Sequence, residues 1–175
     1  MNTEELMFKI LDGKESRVLR QKEILTKYNQ TLISFTLNIP GLYKISEEYK
    51  KVFNKGIREI KENLERKKLL ISYEEVNERE SGYEFFCIVL APANDVKMLM
   101  IELESRLSIG RIFDIDVFDK EGRLLSRSDF SIKKRECLVC SNDAVVCSRS
   151  RAHSIEEVLE AIDKLVKEFI LEEEL

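Results

Sequence analysis

Histidine occurs once, at position 153, tryptophan is absent, and proline appears only at Pro40 and Pro92. A lone histidine argues against any mechanism that needs a histidine triad. No apolar run approaches the ~20 residues of a membrane helix. The opening Met-Asn-Thr-Glu-Glu has no basic stretch ahead of an apolar core, so no secretory signal is expected. There are four cysteines, three of them within one short stretch. They do not form the spacing of a disulfide framework, and the chain reads as cytoplasmic, in a reducing compartment. Charge of one sign is also missing: 29 basic residues face 33 acidic ones, for a net charge of -4. Such a balance argues against a general nucleic-acid scaffold. Neither nucleic acid nor membrane is expected as a partner.

The charges that are present are unevenly placed. From Arg123 to Arg151 the basic residues are Arg123, Arg127, Lys133, Lys134, Arg135, Arg149 and Arg151, against only Asp129, Glu136 and Asp143. The stretch from Glu156 onward is strongly acidic. A basic strip of this kind suits a ligand carrying several phosphates. The length of 175 residues supports one domain with a real core. Residues 1–30 read as a helical arm, 31–130 as an α+β core, and 131–175 as a Cys-rich loop and C-terminal helix.

In chain order, Thr3 to Leu11 reads as a short helix capped by Thr3, broken at Asp12-Gly13, with a second helix from Lys14 to Tyr28. Arg17, Arg20 and Gln21 mark a polar side of that arm. Thr31 to Leu37 is a strand of β-branched and apolar residues. It ends in Asn38-Ile39-Pro40-Gly41, a turn. Asn38, the amides around Gly41, and Lys44 form a candidate phosphate loop, although it lacks the Gly-Lys-Ser/Thr of a Walker loop. Ser46 caps a long helix, with Gly56 placed for a close packing contact. Leu69–Val76 and Tyr83–Ala91 read as paired strands, and Cys87 as an inert core thiol. Asp95–Leu107 reads as a helix. Arg111–Phe118 then reads as a strand entering a hairpin continued by Arg123–Phe130.

The order β-α-β-β-α-β is the split pattern of a ferredoxin-like sandwich. A polymerase-beta-type nucleotidyltransferase palm is the alternative. It also carries Asp-x-Asp on a strand, but Ser108-Ile109-Gly110 does not clearly match the Gly-Ser helix start of that fold.

Two constellations carry chemistry. Asp114 and Asp116 lie two apart on a strand, so both carboxylates leave one face about 7 Å apart. That spacing can hold one or two hard cations such as Mg²⁺. An edge strand with both acids in water is the competing reading. The second constellation is Cys137-x-x-Cys140, six residues, Cys147, five residues, His153. Zinc, buried free thiols and a redox pair are all open to it. His153 is alternatively a phosphate contact or a proton-transfer group. Around them Arg111, Arg127, Arg135, Arg149 and Arg151 are planar, permanently charged phosphate forks. Asp129 is a possible third carboxylate.

Four segments in series resemble the holo-acyl-carrier-protein synthases of citrate lyase, the apo-citrate lyase phosphoribosyl-dephospho-CoA transferase family. They are Leu32–Gly41 with Lys44, Gly110–Val117, Arg135–Cys140 and Cys147–His153, and the likeness spans nearly the whole chain. The resemblance implies a nucleotidyltransferase that moves phosphoribosyl-dephospho-CoA from 2'-(5''-triphosphoribosyl)-3'-dephospho-CoA to a serine of the citrate lyase acyl carrier subunit. Pyrophosphate leaves. It also implies Mg²⁺ on Asp114 and Asp116. Basic residues of the N-terminal helices, or Arg58, Lys61 and Lys68, are the expected docking surface for an acidic carrier. A pyrophosphokinase or other nucleotide-dependent enzyme of ferredoxin-like fold, and a non-enzymatic zinc adaptor, are the competing functions.

Overall fold

A computed structural model describes residues 2–173. The elements are α1 (Thr3–Tyr28), β1 (Thr31–Leu37), α2 (Glu47–Arg66), β2 (Ile71–Arg79), β3 (Gly82–Val89), α3 (Ala93–Arg106), β4 (Phe113–Phe118), β5 (Leu124–Leu125), α4 (Ala144–Ser150) and α5 (Ile155–Glu173). Single 3-10 turns occupy Ile109–Ile112 and Arg127–Phe130. The architecture is α+β, with one sheet in the order β2-β3-β1-β4-β5. Each neighbouring pair is antiparallel.

The central strands β1, β3 and β4 alternate between two differently covered faces. Ile33, Phe35, Phe85, Cys87, Val89, Phe113, Ile115 and Val117 join the main core, with Val52, Phe53, Ile60 and Leu64 of α2, Val96, Met100 and Leu103 of α3, and Ile162, Val166 and Phe169 of α5. Burying each such side chain contributes roughly 1.5–3 kcal/mol. The opposite face carries Leu32, Phe86 and Ile88, covered by Ile24 and Leu25 of α1. Along β4, this second face is where Asp114 and Asp116 emerge, because Phe113, Ile115 and Val117 take the core side.

Several sequence expectations need correction. The arm is one continuous helix, not two, and its cap is Asn2, whose side chain accepts from the Glu5 N–H. Gly13 sits inside it because α1 crosses the β2–β3 hairpin there: a Cβ would lie 2.3 Å from Ser81 Oγ. Close approach, not a chain break, is the reason for that glycine. Gly56 matches its expected role, since a Cβ would lie 2.3 Å from Phe35 Cζ.

The strand carrying the acids starts at Phe113, because i→i+3 bonds from Gly110 N to Leu107 O and Arg111 N to Ser108 O wind the preceding residues into a 3-10 turn. The first hairpin is shifted, as β2 runs to Arg79 and β3 begins at Gly82. The last hairpin strand is only Leu124–Leu125. Asp129 is no third acid of the pair: it caps the following turn, accepting from Ser126 N at 2.8 Å, and pairs with Arg123 at 2.9 Å.

Beyond its short pairing with β5, the outer edge of β4 is closed by side chains. Arg135 Nη1 donates to Phe113 O at 2.7 Å, and Lys97 Nζ donates to Ile115 O at 3.1 Å. Ile115 N donates to Glu104 Oε1 at 3.4 Å. Backbone groups that a longer β5 would have paired are thus satisfied locally.

Candidate active site

The candidate site is the sheet face beneath α1. Register places Asp116 beside Ser34, and Asp114 beside Thr36. On the other side of β1, Thr36 is paired with Glu84. Polar residues therefore run across three strands on the face that elsewhere is apolar. Ser34, Thr36 and Glu84 are all buried. α1 supplies the polar lid: Gln21 Nε2 donates to Ser34 Oγ at 2.9 Å, and Arg17 Nε lies 3.7 Å from Glu84 Oε1. Arg79 approaches the other Glu84 oxygen at 3.8 Å. Neither arginine makes a close hydrogen bond, and Glu84 Oε1 is left without a hydrogen-bond partner. Burial pushes the Glu84 carboxyl up, against the pull of Arg17 and Arg79.

Burial also pushes the Asp116 carboxyl up to about 6, with the Asp114 charge as the next cause, while Lys97 and Arg17 oppose both. Two carboxylates on one partly buried face, with their nearest cations not on the oxygens, are the donor set that a hard divalent cation fits. Mg²⁺ is compatible with these residues on that ground.

The loop leaving β1 closes one end of this face. Asn38 N donates to Ile112 O at 2.8 Å, which ties the β1 exit to the β4 entrance as expected from the antiparallel order. Lys44 folds back so that Nζ donates to Ile39 O. Burial pulls the Lys44 ammonium down to about 8, and the charges of Lys14 and Arg17 push the same way. Lys44 and Arg17 both stand at the start of β3, since a Cβ on Gly82 would lie 3.8 Å from Lys44 Cβ and Arg17 Nε is 3.7 Å from Glu84 Oε1. Glu84 shares a cross-strand row with Thr36 and Asp114, so Lys44, Arg17 and Lys14 make a cationic group at the rim of the acidic face. Lys44 is among the phosphate-loop residues expected from the sequence. Lys14 and Glu84 were missed; a charged residue within the apolar run of β3 was the only signal for Glu84.

The other predicted residues divide. Arg111, Arg127 and Arg135 do converge, lining one open groove with Ser105, Ser108 and Lys134. That groove lies along the outer edge of β4 and not on the Asp114–Asp116 face. Arg127 and Arg135 are spent on Glu104, which is 3% exposed: Arg127 Nη2 reaches Oε2 at 2.6 Å, and Arg135 reaches Oε1. Arg111 Nη2 donates to Cys137 O at 2.7 Å. Arg149 stands in the last turn of α4, and Arg151 forms its left-handed C-cap. Both are exposed.

Cys137, Cys140, Cys147 and His153 are brought together, their ligand atoms within 4.8 Å of one another. His153 Nε2 meets Cys140 Sγ at 3.2 Å, so it faces a thiol and not the acid pair. The start of α5, two residues beyond His153, adjoins the β1 exit loop, since a Cβ on Gly41 would lie 3.7 Å from Ile155 Cγ2. Cys87 is fully buried elsewhere in the core, and burial pushes its thiol up. Among the described residues no helix is long and apolar enough to cross a membrane.

Comparison with known proteins shows the family of the chain. Residues 6–169 match the family model described as apo-citrate lyase phosphoribosyl-dephospho-CoA transferase. A Streptococcus pyogenes protein named probable apo-citrate lyase phosphoribosyl-dephospho-CoA transferase is 39% identical, covering 91% of this chain and 84% of the relative. A Vibrio cholerae protein of the same name is 34% identical, covering 91% and 90%. The Haemophilus influenzae protein named Protein CitXG is 34% identical over 90% of this chain, which spans only 34% of that longer relative. With the match running from α1 through most of α5 and including every residue of both constellations, the chain belongs to the apo-citrate lyase phosphoribosyl-dephospho-CoA transferase family.

Proposed function

We propose that this chain transfers phosphoribosyl-dephospho-CoA from its triphosphoribosyl precursor to a serine hydroxyl of the citrate lyase acyl carrier subunit. The observation that carries the reading is the pairing of Asp114 and Asp116 on one lidded sheet face with the Lys14–Arg17–Lys44 cluster at its rim. The serine hydroxyl releases its proton as its oxygen forms a bond to the phosphorus nearest the ribose, the bond from that phosphorus to the oxygen bridging it to the next phosphate breaks, and pyrophosphate leaves. Asp114 and Asp116 would hold Mg²⁺, which when bound supplies positive charge to the phosphate oxygens and the leaving group. Lys44 and Arg17 bind the triphosphate and offset its charge in a site partly shielded from water. Gln21 and Ser34 fix α1 over the sheet and so fix Arg17.

The strand order β2-β3-β1-β4, with α2 and α3 on one face, supports a ferredoxin-like sandwich extended by β5 and lidded by α1. The family match does not favour the pyrophosphokinase or zinc-adaptor readings. For carrier docking, Arg58 and Lys61 are partly neutralised by Glu173 and Glu74, as Lys9 and Arg20 of α1 are by Glu5, Glu23 and Glu75, which leaves the exposed Lys22 and Lys27 of α1 and Lys68 as the stronger docking residues. The test is incubation with apo carrier, precursor and Mg²⁺, following the intact mass of the carrier and the release of pyrophosphate. Asp114→Asn and Asp116→Asn should each abolish the mass gain. Wild-type turnover in both variants would remove the acid pair from the mechanism.

A further inference from the structure

We propose that Cys137, Cys140, Cys147 and His153 bind one zinc ion tetrahedrally, and that this ion holds the segment 131–154 against the end of the sheet where the acid pair lies. Zinc bound at ~2.3 Å to sulfur and ~2.0 Å to nitrogen requires ligand edges of roughly 3.8 Å between sulfurs and 3.5 Å between sulfur and nitrogen. Cys140 Sγ and Cys147 Sγ are 3.5 Å apart, His153 Nε2 is 3.2 Å from Cys140 Sγ, and all four atoms fall within 4.8 Å. The four donor atoms are thus already gathered within the span of a single zinc site.

A redox pair and a buried apolar cluster both fit these residues less well. All the cysteines are free thiols. A redox pair needs two sulfurs and normally sits at a helix start. Here three sulfurs and the chain's only imidazole converge, and Cys137 and Cys140 precede α4. Nor is the cluster a small hydrophobic core. Most of its aliphatic neighbours turn outward, with Val145 at 43% and Val146 at 59% exposure, and only Leu138 packs against the main core.

The segment is almost free of regular structure: one isolated bridge, Glu136 to Asp143, and the seven-residue α4. A chain so ordered, without a core of its own, needs another source of free energy to offset its conformational entropy. Three thiolates and an imidazole select zinc over magnesium, so the site does not compete with the acid pair for its cation. The N–H of Val139 donates to Cys137 Sγ at 3.5 Å, the kind of outer contact that stabilises a metal-bound thiolate.

The ion has a positional consequence. Arg111, two residues before β4, is bonded to the Cys137 carbonyl, and Ile155, two residues after His153, packs beside Gly41. Zinc thereby clamps the entrance of β4 and the exit loop of β1 to one rigid knuckle. It also sets where the exposed Arg149 and Arg151 stand.

The full chain is to be purified without chelator and its metal content measured by elemental mass spectrometry. About one zinc per chain is expected, released in step with modification of three thiols. Metal-free protein refilled with Co²⁺ should show thiolate-to-cobalt charge transfer and strong tetrahedral ligand-field bands. Cys147→Ser and His153→Ala should lower zinc retention against a chelator about tenfold or more, whereas Cys87→Ala should retain it. If the ligand variants do not fold, the cobalt spectrum of the wild-type chain decides. A folded wild-type chain that carries no zinc and gives no cobalt–thiolate band overturns the proposal, as does equal zinc retention in Cys147→Ser. Metal content is read without turnover, so this outcome is independent of the transfer assay.

Discussion

Replacing Asp116 with asparagine should stabilise the fold while abolishing transfer. In the folded chain, burial, then the charge of Asp114, raises the Asp116 carboxyl from 3.8 to about 6. The folded state therefore binds the proton more tightly than the unfolded one. Asp116 is least costly below about pH 4, and that advantage is lost as the pH rises through about 6. A shift of roughly two units at 1.36 kcal/mol each makes the ionised group a burden of about 3 kcal/mol at neutral pH. Asparagine has nearly the same shape and no charge. Asp116→Asn should thus be more stable by roughly 2–3 kcal/mol at about pH 7.5 and nearly equal to wild type at about pH 4. Urea unfolding followed by circular dichroism, without divalent cations, measures the difference. Adding Mg²⁺ should then narrow the gap by stabilising wild type alone. Equal stabilities at neutral pH, or a gap that is as large in acid, would show that the carboxylate is well solvated and refute the reasoning.

Three further outcomes are expected. Glu104→Ala strands Arg127 and Arg135 and opens the edge of β4, at a cost of about 3 kcal/mol in urea unfolding. If Arg127→Ala instead leaves stability unchanged and raises KM for the precursor, the groove is a phosphate site and not a strand-edge clamp. Gly13→Ala should lift α1 from the β2–β3 hairpin and cost about 1–3 kcal/mol, with Ser81→Gly restoring much of the loss in the double variant; no coupling between the two would mean that α1 does not rest on Ser81. Lys44→Met should lower kcat/KM for the precursor by roughly 10–100-fold with little change in unfolding free energy, and unchanged kinetics would remove Lys44 from the triphosphate site.

The site was legible wherever its chemistry is local in sequence. A period of two puts Asp114 and Asp116 on one face whatever surrounds them. Thr31–Leu37 is bounded by its own composition, and Ser46 caps α2 by its own hydroxyl, which accepts from Tyr49 N. The Cys-x-x-Cys spacing announces convergence. A break at Asp12-Gly13 is the wrong reading because a glycine in isolation reads as a weak point, when here it answers to a serine 68 positions away in the chain.

The sequence alone settled the β-α-β-β-α-β order of the core, the sharing of one face by Asp114 and Asp116, the clustering of the thiols and the family resemblance, because each rests on neighbours along the chain. Only the tertiary structure decided which face the acids share, that α1 lies over them, and that Lys14 and Glu84 belong beside them. It also decided which cations are free: Arg127 and Arg135 look like phosphate ligands in sequence, but fold onto Glu104, an acid more than twenty residues earlier. The physical reason is that a charge is committed by whichever partner the packing brings within reach, and one-dimensional spacing does not encode that distance.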